Sequence, residues 1–426
     1  MYTNISDTYN SIGFVKAHRV SDKDFTRSGS LTLPNLIEIL LNTSHRSIKS
    51  EVSDFFLKKS PRSYRKQLLS KGAFTKARSK FKETALIELL QKSVSSFYRK
   101  VPLRERSQWH GFRTLAVDGS DLALPDYPDI RQTFGAHSND SDVSVPMAKL
   151  SFLYDTFLDM PIDVQLDGNY SNERELAVNH LSQTGDNDLM LYDRGYYAYW
   201  FVLLHTHRQR EFCFRLRRNA NRQVQQFIDA NKKQAIITLE ATPGMRQQAL
   251  EKGLEIVPVQ VRLIRIKTSK GSYVLMTSLT DTRRYPAKHF YDLYHLRWRV
   301  EEGYKKQKAF LDVEDFSGRT VHSIKQDVHA SAMVHALVAM ECFAANDYRD
   351  PRIEKRKHRY KINFAEAIQS LKRRIIILLT ERLNCFDIYK WLKAIATNLT
   401  IIKSGRSFER TKVRCRRKKL RKGYKV

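Results

Sequence analysis

The chain has 426 residues, 42% of them hydrophobic and 11% aromatic, enough to bury several compact units and too apolar for a disordered protein. Its 75 Lys and Arg against 45 Asp and Glu give a formal charge of +30, which repels itself unless a polyanion balances it. Basic residues run through the whole chain among aromatics, which favours nucleic acid over a membrane surface as that polyanion.

Cys213, Cys342, Cys385 and Cys415 stand far apart with no Cys-x-x-Cys pair, so neither a zinc knuckle nor a disulfide framework is indicated. The polar first twenty residues do not read as a secretory signal. The most apolar helical stretch, 330–345, is interrupted by His335 and Glu341, so no membrane span is expected. The expectation is a soluble cytoplasmic protein with no membrane partner.

In chain order, residues 1–102 have a helical texture. Leu36, Ile37, Leu40 and Leu41 follow Pro34 at helical spacing, and Leu86, Ile87, Leu89 and Leu90 repeat the pattern. The basic stretch 58–82 between them suits phosphate contact and equally suits a solvated helix face. From about 111 to 218 strands and helices alternate. Residues 114–117 form an apolar strand ending at Asp118, and 150–154 with 161–166 form a hairpin turning near Asp159. Asn172-x-x-Glu175 is a capping box opening a helix to Leu181. Residues 189–192 form a strand ending at Asp193, followed by a helix over 196–205 and a strand over 212–216. This order predicts an α/β mixed sheet with helices on its faces.

Strand-like stretches at 235–239, 256–266 and 273–277 predict a small β insertion. One long helix is expected over about 288–311, and others near 323–345, 364–380 and 387–400. Half of the residues in 403–426 are Lys or Arg, read as a disordered phosphate-binding tail. The expected domains are a helical N-terminal DNA-binding region (1–102), a catalytic core in two parts (103–218 and 286–345), a β insertion subdomain (219–285) and a helical C-terminal region with the basic tail (346–426).

Cutting and joining DNA needs a nucleophile and leaving group in line, with charge on the phosphorus oxygens neutralised. Two divalent metals about 3.5–4 Å apart achieve this on hard carboxylate ligands. Asp118 and Asp193 both end apolar strands, and side by side they would repel unless a cation intervened. Each alone is as readily a turn former. Tyr294, Arg297, Glu301 and Lys308 lie at offsets that place them within roughly 60° of one helix face. That stripe offers a carboxylate beside two cations, although Arg297–Glu301 also fits an ordinary i,i+4 ion pair. Leu293, Leu296 and Val300 give the helix a separate core face. Trp298 reads as helix packing, and His205, His207, His329 and His335 show no metal-ligand spacing.

The pattern Tyr294-x2-Arg297-x3-Glu301-x6-Lys308 resembles the Tyr-Arg-Glu-Lys signature of bacterial insertion-sequence transposases of the insertion sequence four family. Val117-Asp118-Gly119-Ser120 and Tyr192-Asp193-Arg194-Gly195-Tyr196 resemble that family's first and second Asp motifs, and Ser171-Asn172-Glu173-Arg174-Glu175-Leu176-Ala177 resembles it further. The resemblance implies a ribonuclease-H-like core with a β insertion between the second Asp and the Glu. It implies that Asp118, Asp193 and Glu301 are catalytic and bind two Mg²⁺ or Mn²⁺ ions. It also implies that Tyr294, Arg297 and Lys308 contact DNA phosphates, with Arg194 and Lys305 as further DNA contacts. The expected activity is cut-and-paste transposition on double-stranded DNA, at terminal inverted repeats and target, by a homodimer. Alternatives are an inactive DNA-binding protein and a nuclease without joining activity. Residues 64–78 are the candidate for terminal-repeat recognition.

Overall fold

The computed structural model describes residues 1–402 apart from 28, 45, 64–67, 103–104, 106–108, 139–143, 270 and 382. The basic tail 403–426 and the first four residues of the 64–78 candidate therefore lie outside the described residues.

Six described helices open the chain: α1 (Tyr2–Asn10), α2 (Ile12–His18), α3 (Leu33–Leu41), α4 (Ile48–Lys59), α5 (Lys71–Arg78) and α6 (Thr84–Lys100). Ser11, Thr32, Ser47 and Ser70 each accept a hydrogen bond from a first-turn backbone N–H, satisfying one donor that the helix itself leaves unpaired. Arg78, at the end of the candidate recognition stretch, is buried and donates to Gln326 Oε1, Ser317 Oγ, Ser323 O and Asp327 Oδ1. It therefore ties α5 to the core and is closed to DNA.

The sheet begins with β1 (Arg113–Ala123), then α7 (Pro128–Phe134), β2 (Ala136–Ser138), β3 (Ser144–Asp155) and β4 (Met160–Gly168). It continues through α8 (Glu173–His180), β5 (Asp188–Tyr192), α9 (Tyr199–His207) and β6 (Glu211–Leu216). Strand β3 pairs antiparallel with β1 and β4, while β1, β5 and β6 run parallel. The order β4-β3-β1-β5-β6 is the ribonuclease-H-like arrangement. Beyond it come α10 (Arg222–Asp229), β7 (Gln234–Thr238), α11 (Pro243–Glu251), β8 (Gln260–Thr268) and β9 (Gly271–Thr277). Because β9 pairs antiparallel with β6, these strands extend the same sheet, in the order β6-β9-β8-β7. Asn172 caps α8 by accepting from the Arg174 N–H, but Glu175 faces Lys252 at 3.5 Å instead of closing the expected capping box.

The helix expected unbroken over 288–311 is divided into α12 (Phe290–His295) and α13 (Arg299–Ala309) by a 3₁₀ turn at Leu296–Trp298. The tighter winding there rotates the face carrying Tyr294 relative to Glu301. Gly303 lets α13 lie against β3, since an added Cβ would stand 2.6 Å from the Tyr154 ring.

Helix α14 (Val321–Ala345) is the spine of the molecule. Ile324, Val328 and Ala332 pack with the sheet, and Met333, Leu337 and Val338 pack with the N-terminal helices. With the following turn it spans Val321–Tyr348, 28 residues, and its most apolar window has a mean hydropathy of 1.4. Contrary to expectation it is thus long and apolar enough to cross a membrane, yet 78% of that window is buried inside the protein. His335 stays within the fold, held by Gln307 and the Asp159 carbonyl, and burial pushes it down to about 3. The chain continues through β10 (Tyr360–Ile362), α15 (Phe364–Thr380), α16 (Cys385–Thr397) and β11 (Leu399–Ile401).

Gly303→Ala should cost about 1–3 kcal/mol through overpacking against Tyr154, read as a lower midpoint in denaturant unfolding; an unchanged midpoint would mean that α13 moves aside freely.

Candidate active site

Strand pairing creates the site. The parallel register runs from Arg113↔Asp188 to Ala116↔Leu191. Continued two residues beyond its last pair, that register brings Asp118 opposite Asp193, just past the end of β5. Contrary to expectation β1 does not end at Asp118: it runs on to Ala123, with Asp118 and Gly119 paired with Phe152 and Ser151 of β3. Asp118 Oδ1 accepts the Gly119 N–H at 3.1 Å within the strand, and Asp193 Oδ1 accepts the Gly195 N–H at 2.6 Å in the turn after β5.

The α12–α13 segment closes over this region. Tyr304 donates its hydroxyl to the Asp118 carbonyl at 2.6 Å and accepts the Phe152 N–H at 3.0 Å. Tyr294, buried, donates to the carbonyl of Tyr192, next to Asp193. Two tyrosines, one on α12 and one on α13, thus tie the main chain beside each aspartate to the same segment.

Arg297 lies at the centre, only 7% exposed. Its guanidinium reaches Asp118 Oδ2 at 3.4 Å and Glu301 Oε1 at 2.8 Å, so the i,i+4 ion pair and the convergent site coexist. Its Nε is buried without a hydrogen-bond partner. Asp118 is pushed up to about 6, first by burial; Arg297 opposes this, while Asp193 and Glu301 add to it.

These groups line one cleft of about 610 Å³, with Asp118, Asp193 and Glu301 on its floor and Arg194, Arg215 and Lys305 among its cations. Lys308 lies beside it and reaches the Asp121 carbonyl at 2.6 Å and Glu314 at 3.7 Å. Lys305 is exposed and pairs with Glu302. Sequence reasoning missed Arg215 and Tyr304. Arg215 stands half-buried among the apolar residues of β6, a charge out of pattern that could have been noticed. Tyr304 gave no such signal. Trp298, expected to pack, is 44% exposed and lines the cleft.

A family model described as the transposase DDE domain matches residues 109–337, just over half of the chain. The chain belongs to that family. It is 27% identical over 246 residues to the transposase InsG for insertion sequence element IS4 of Escherichia coli (strain K12), covering 56% of this chain and 53% of that one. That match bears out the insertion sequence four resemblance, and the chain spans about half the length of this curated relative. A cryo-EM structure of the piggyBac transposase synaptic complex with hairpin DNA aligns over 97% of this chain and 88% of its own, at 11% identity and a TM-score of 0.45.

The family works with divalent metal ions. Here the chemistry of the donor set fits a hard cation: three carboxylates face one cleft, and burial with mutual repulsion raises Asp118. Among the described residues, however, no three metal-ligating side chains are grouped closely enough to hold an ion. Arg297 supplies the positive charge between Asp118 and Glu301 instead. Arg297→Gln should therefore tighten Mn²⁺ binding about tenfold, equivalent to about 1.4 kcal/mol, and lower the melting temperature without metal. Calorimetry showing weaker or unchanged Mn²⁺ affinity would remove Arg297 as the competing cation.

Proposed function

We propose that this chain is a transposase that cuts double-stranded DNA at the terminal inverted repeats of its element and joins the freed ends to target DNA, by cut-and-paste. The observation that carries this reading is the cleft in which β1, the turn after β5 and α13 gather Asp118, Asp193 and Glu301, with one buried arginine paired to Asp118 and Glu301. In this reading the three carboxylates would hold two Mg²⁺ or Mn²⁺ ions, and the chemistry such ions would supply is activation of the water or 3′-hydroxyl nucleophile and neutralisation of phosphoryl charge. Arg297, once exchanged off the acids, turns to a DNA phosphate, for which a planar guanidinium is suited. Arg194, Arg215 and Lys305 at the cleft and Lys308 beside it supply further phosphate contacts, and Tyr294 holds the strand end that carries Asp193.

The +30 charge supports a long DNA track beyond the cleft. We assign the helical region 1–102 and the C-terminal region 346–426 to DNA binding, with 103–218 and 286–345 as the catalytic core around the 219–285 insertion. Two copies would hold two DNA ends, in the cytoplasm and on the nucleoid. The second reading, a DNA-binding protein without catalysis, draws on the finding that, among the described residues, no three metal-ligating side chains already stand close enough to hold an ion.

The test uses DNA carrying the inverted repeats that flank the reading frame. Wild type should cut it with Mg²⁺ and join a supplied 3′-hydroxyl end. Asp118→Asn, Asp193→Asn and Glu301→Gln should each remove several kcal/mol of transition-state stabilisation, about a hundredfold or more in cleavage, while DNA binding persists. Cleavage that survives all three changes refutes the assignment; cutting without joining makes the protein a nuclease.

A further inference from the structure

The segment Ser171–Ala177 has no part in the chemistry above, yet it touches both halves of the site. Glu173 and Arg174, adjacent in the first turn of α8, each contact the glycine beside one aspartate: Gly119 within β1 and Gly195 in the turn after β5. Glu173 lies against Gly119: a Cβ added there would stand 2.8 Å from its Oε1 and 3.0 Å from its carboxyl carbon. Arg174 donates through Nε to the Gly195 carbonyl at 3.0 Å. Those two glycines are the residues whose N–H groups bond the carboxylates of Asp118 and Asp193.

The gripping helix is itself fixed at both ends. Asn172 caps it at the start. At its far end buried His180 bonds Asp163 at 2.7 Å and Ser151 at 3.0 Å, and Ser151 faces Gly119 across the β1–β3 ladder. Lys149 holds Glu173 at 3.3 Å and Asp121 at 2.6 Å, which keeps the glutamate turned toward β1. Pairing between β1 and β5 stops at Ala116↔Leu191, before either aspartate. Past that point β3 still holds Asp118, but no strand pair ties it to the Asp193 turn, and α8 contacts both sides of that gap.

We propose that the first turn of α8 is a brace, with Glu173 and Arg174 as positioning residues that set the spacing of the Asp118 and Asp193 carboxylates. This rests on the function proposed above, because spacing matters most if the two acids share metal ions. A misplacement of about 1 Å can cost on the order of a hundredfold in rate.

Hydrogen exchange on the full-length, metal-free protein tests the brace whether or not it cuts DNA. Arg174→Ala should raise exchange at the Gly195 amide, and Glu173→Ala at the Gly119 amide, about tenfold each with little change in melting temperature. Both variants should bind Mn²⁺ about tenfold more weakly by calorimetry. They should lower kcat for cleavage about tenfold to a hundredfold with KM for DNA nearly unchanged. Arg174→Lys, which keeps a donor for the Gly195 carbonyl, should recover most of the loss, and Arg174→Met should not. Wild-type protection at both glycines in the alanine variants overturns the brace. So does equal loss in Arg174→Lys and Arg174→Met with a common fall in melting temperature. If wild type fails to cut while the exchange changes appear, the brace stands and the catalytic reading falls.

Discussion

The parallel pairing of β1 with β5 is the constraint on which the rest depends. It joins segments 75 residues apart, and its register, continued past the last pair, brings Asp118 in β1 toward Asp193 just beyond β5. Parallel strands need a crossover, and here the β3–β4 hairpin and α8 provide it, which is why the intervening residues come to surround Asp118. Sheet residues on either side are buried on both faces, so the register cannot slip without exposing Leu115, Val117, Leu189 and Leu191.

Placing acids together in a half-buried cleft costs energy, and Arg297 offsets it. A buried ion pair gains from Coulomb attraction only if its geometry and hydrogen bonds are good. The guanidinium satisfies two carboxylates but leaves its own Nε unbonded, an incomplete set of partners consistent with a group that gives way to another cation. The tyrosines on the flanking helices work differently. Tyr294 and Tyr304 bond main-chain carbonyls, so they anchor the backbone beside each aspartate whatever charge occupies the cleft.

Reading the sequence found the strand that leads into Asp193, the first half of the strand that carries Asp118, the hairpin at Asp159 and the Glu301 helix, because each carries its signal within a short window of apolar periodicity. The same reading stopped β1 at Asp118, where the polar residues to Ala123 hide a strand held by pairing with β3. It failed where a side chain's role depends on a distant partner. Arg78 looked like one cation in a basic stretch, but four acceptors from 239 to 249 residues away bury it. The stretch 219–285 reads as a small β insertion, and only the β6–β9 pairing says which edge of the core sheet its strands extend. His335 and Glu341 looked like interruptions of an apolar helix, whereas burial on all sides keeps that helix whole around them.

Local order determined which residues could carry charge to a strand end or along one helix face, since periodicity and turn chemistry act over a few residues. The amino-acid sequence alone, through those windows and the family resemblance they carry, picked out Asp118, Asp193, Glu301 and Arg297 as candidates. Only tertiary packing decided that this arginine would bridge Asp118 and Glu301, that Tyr304 would hold the Asp118 carbonyl, and that Glu173 and Arg174 would reach the two glycines. Those contacts join elements whose relative placement is set by sheet register and helix docking, and no short window of residues encodes either.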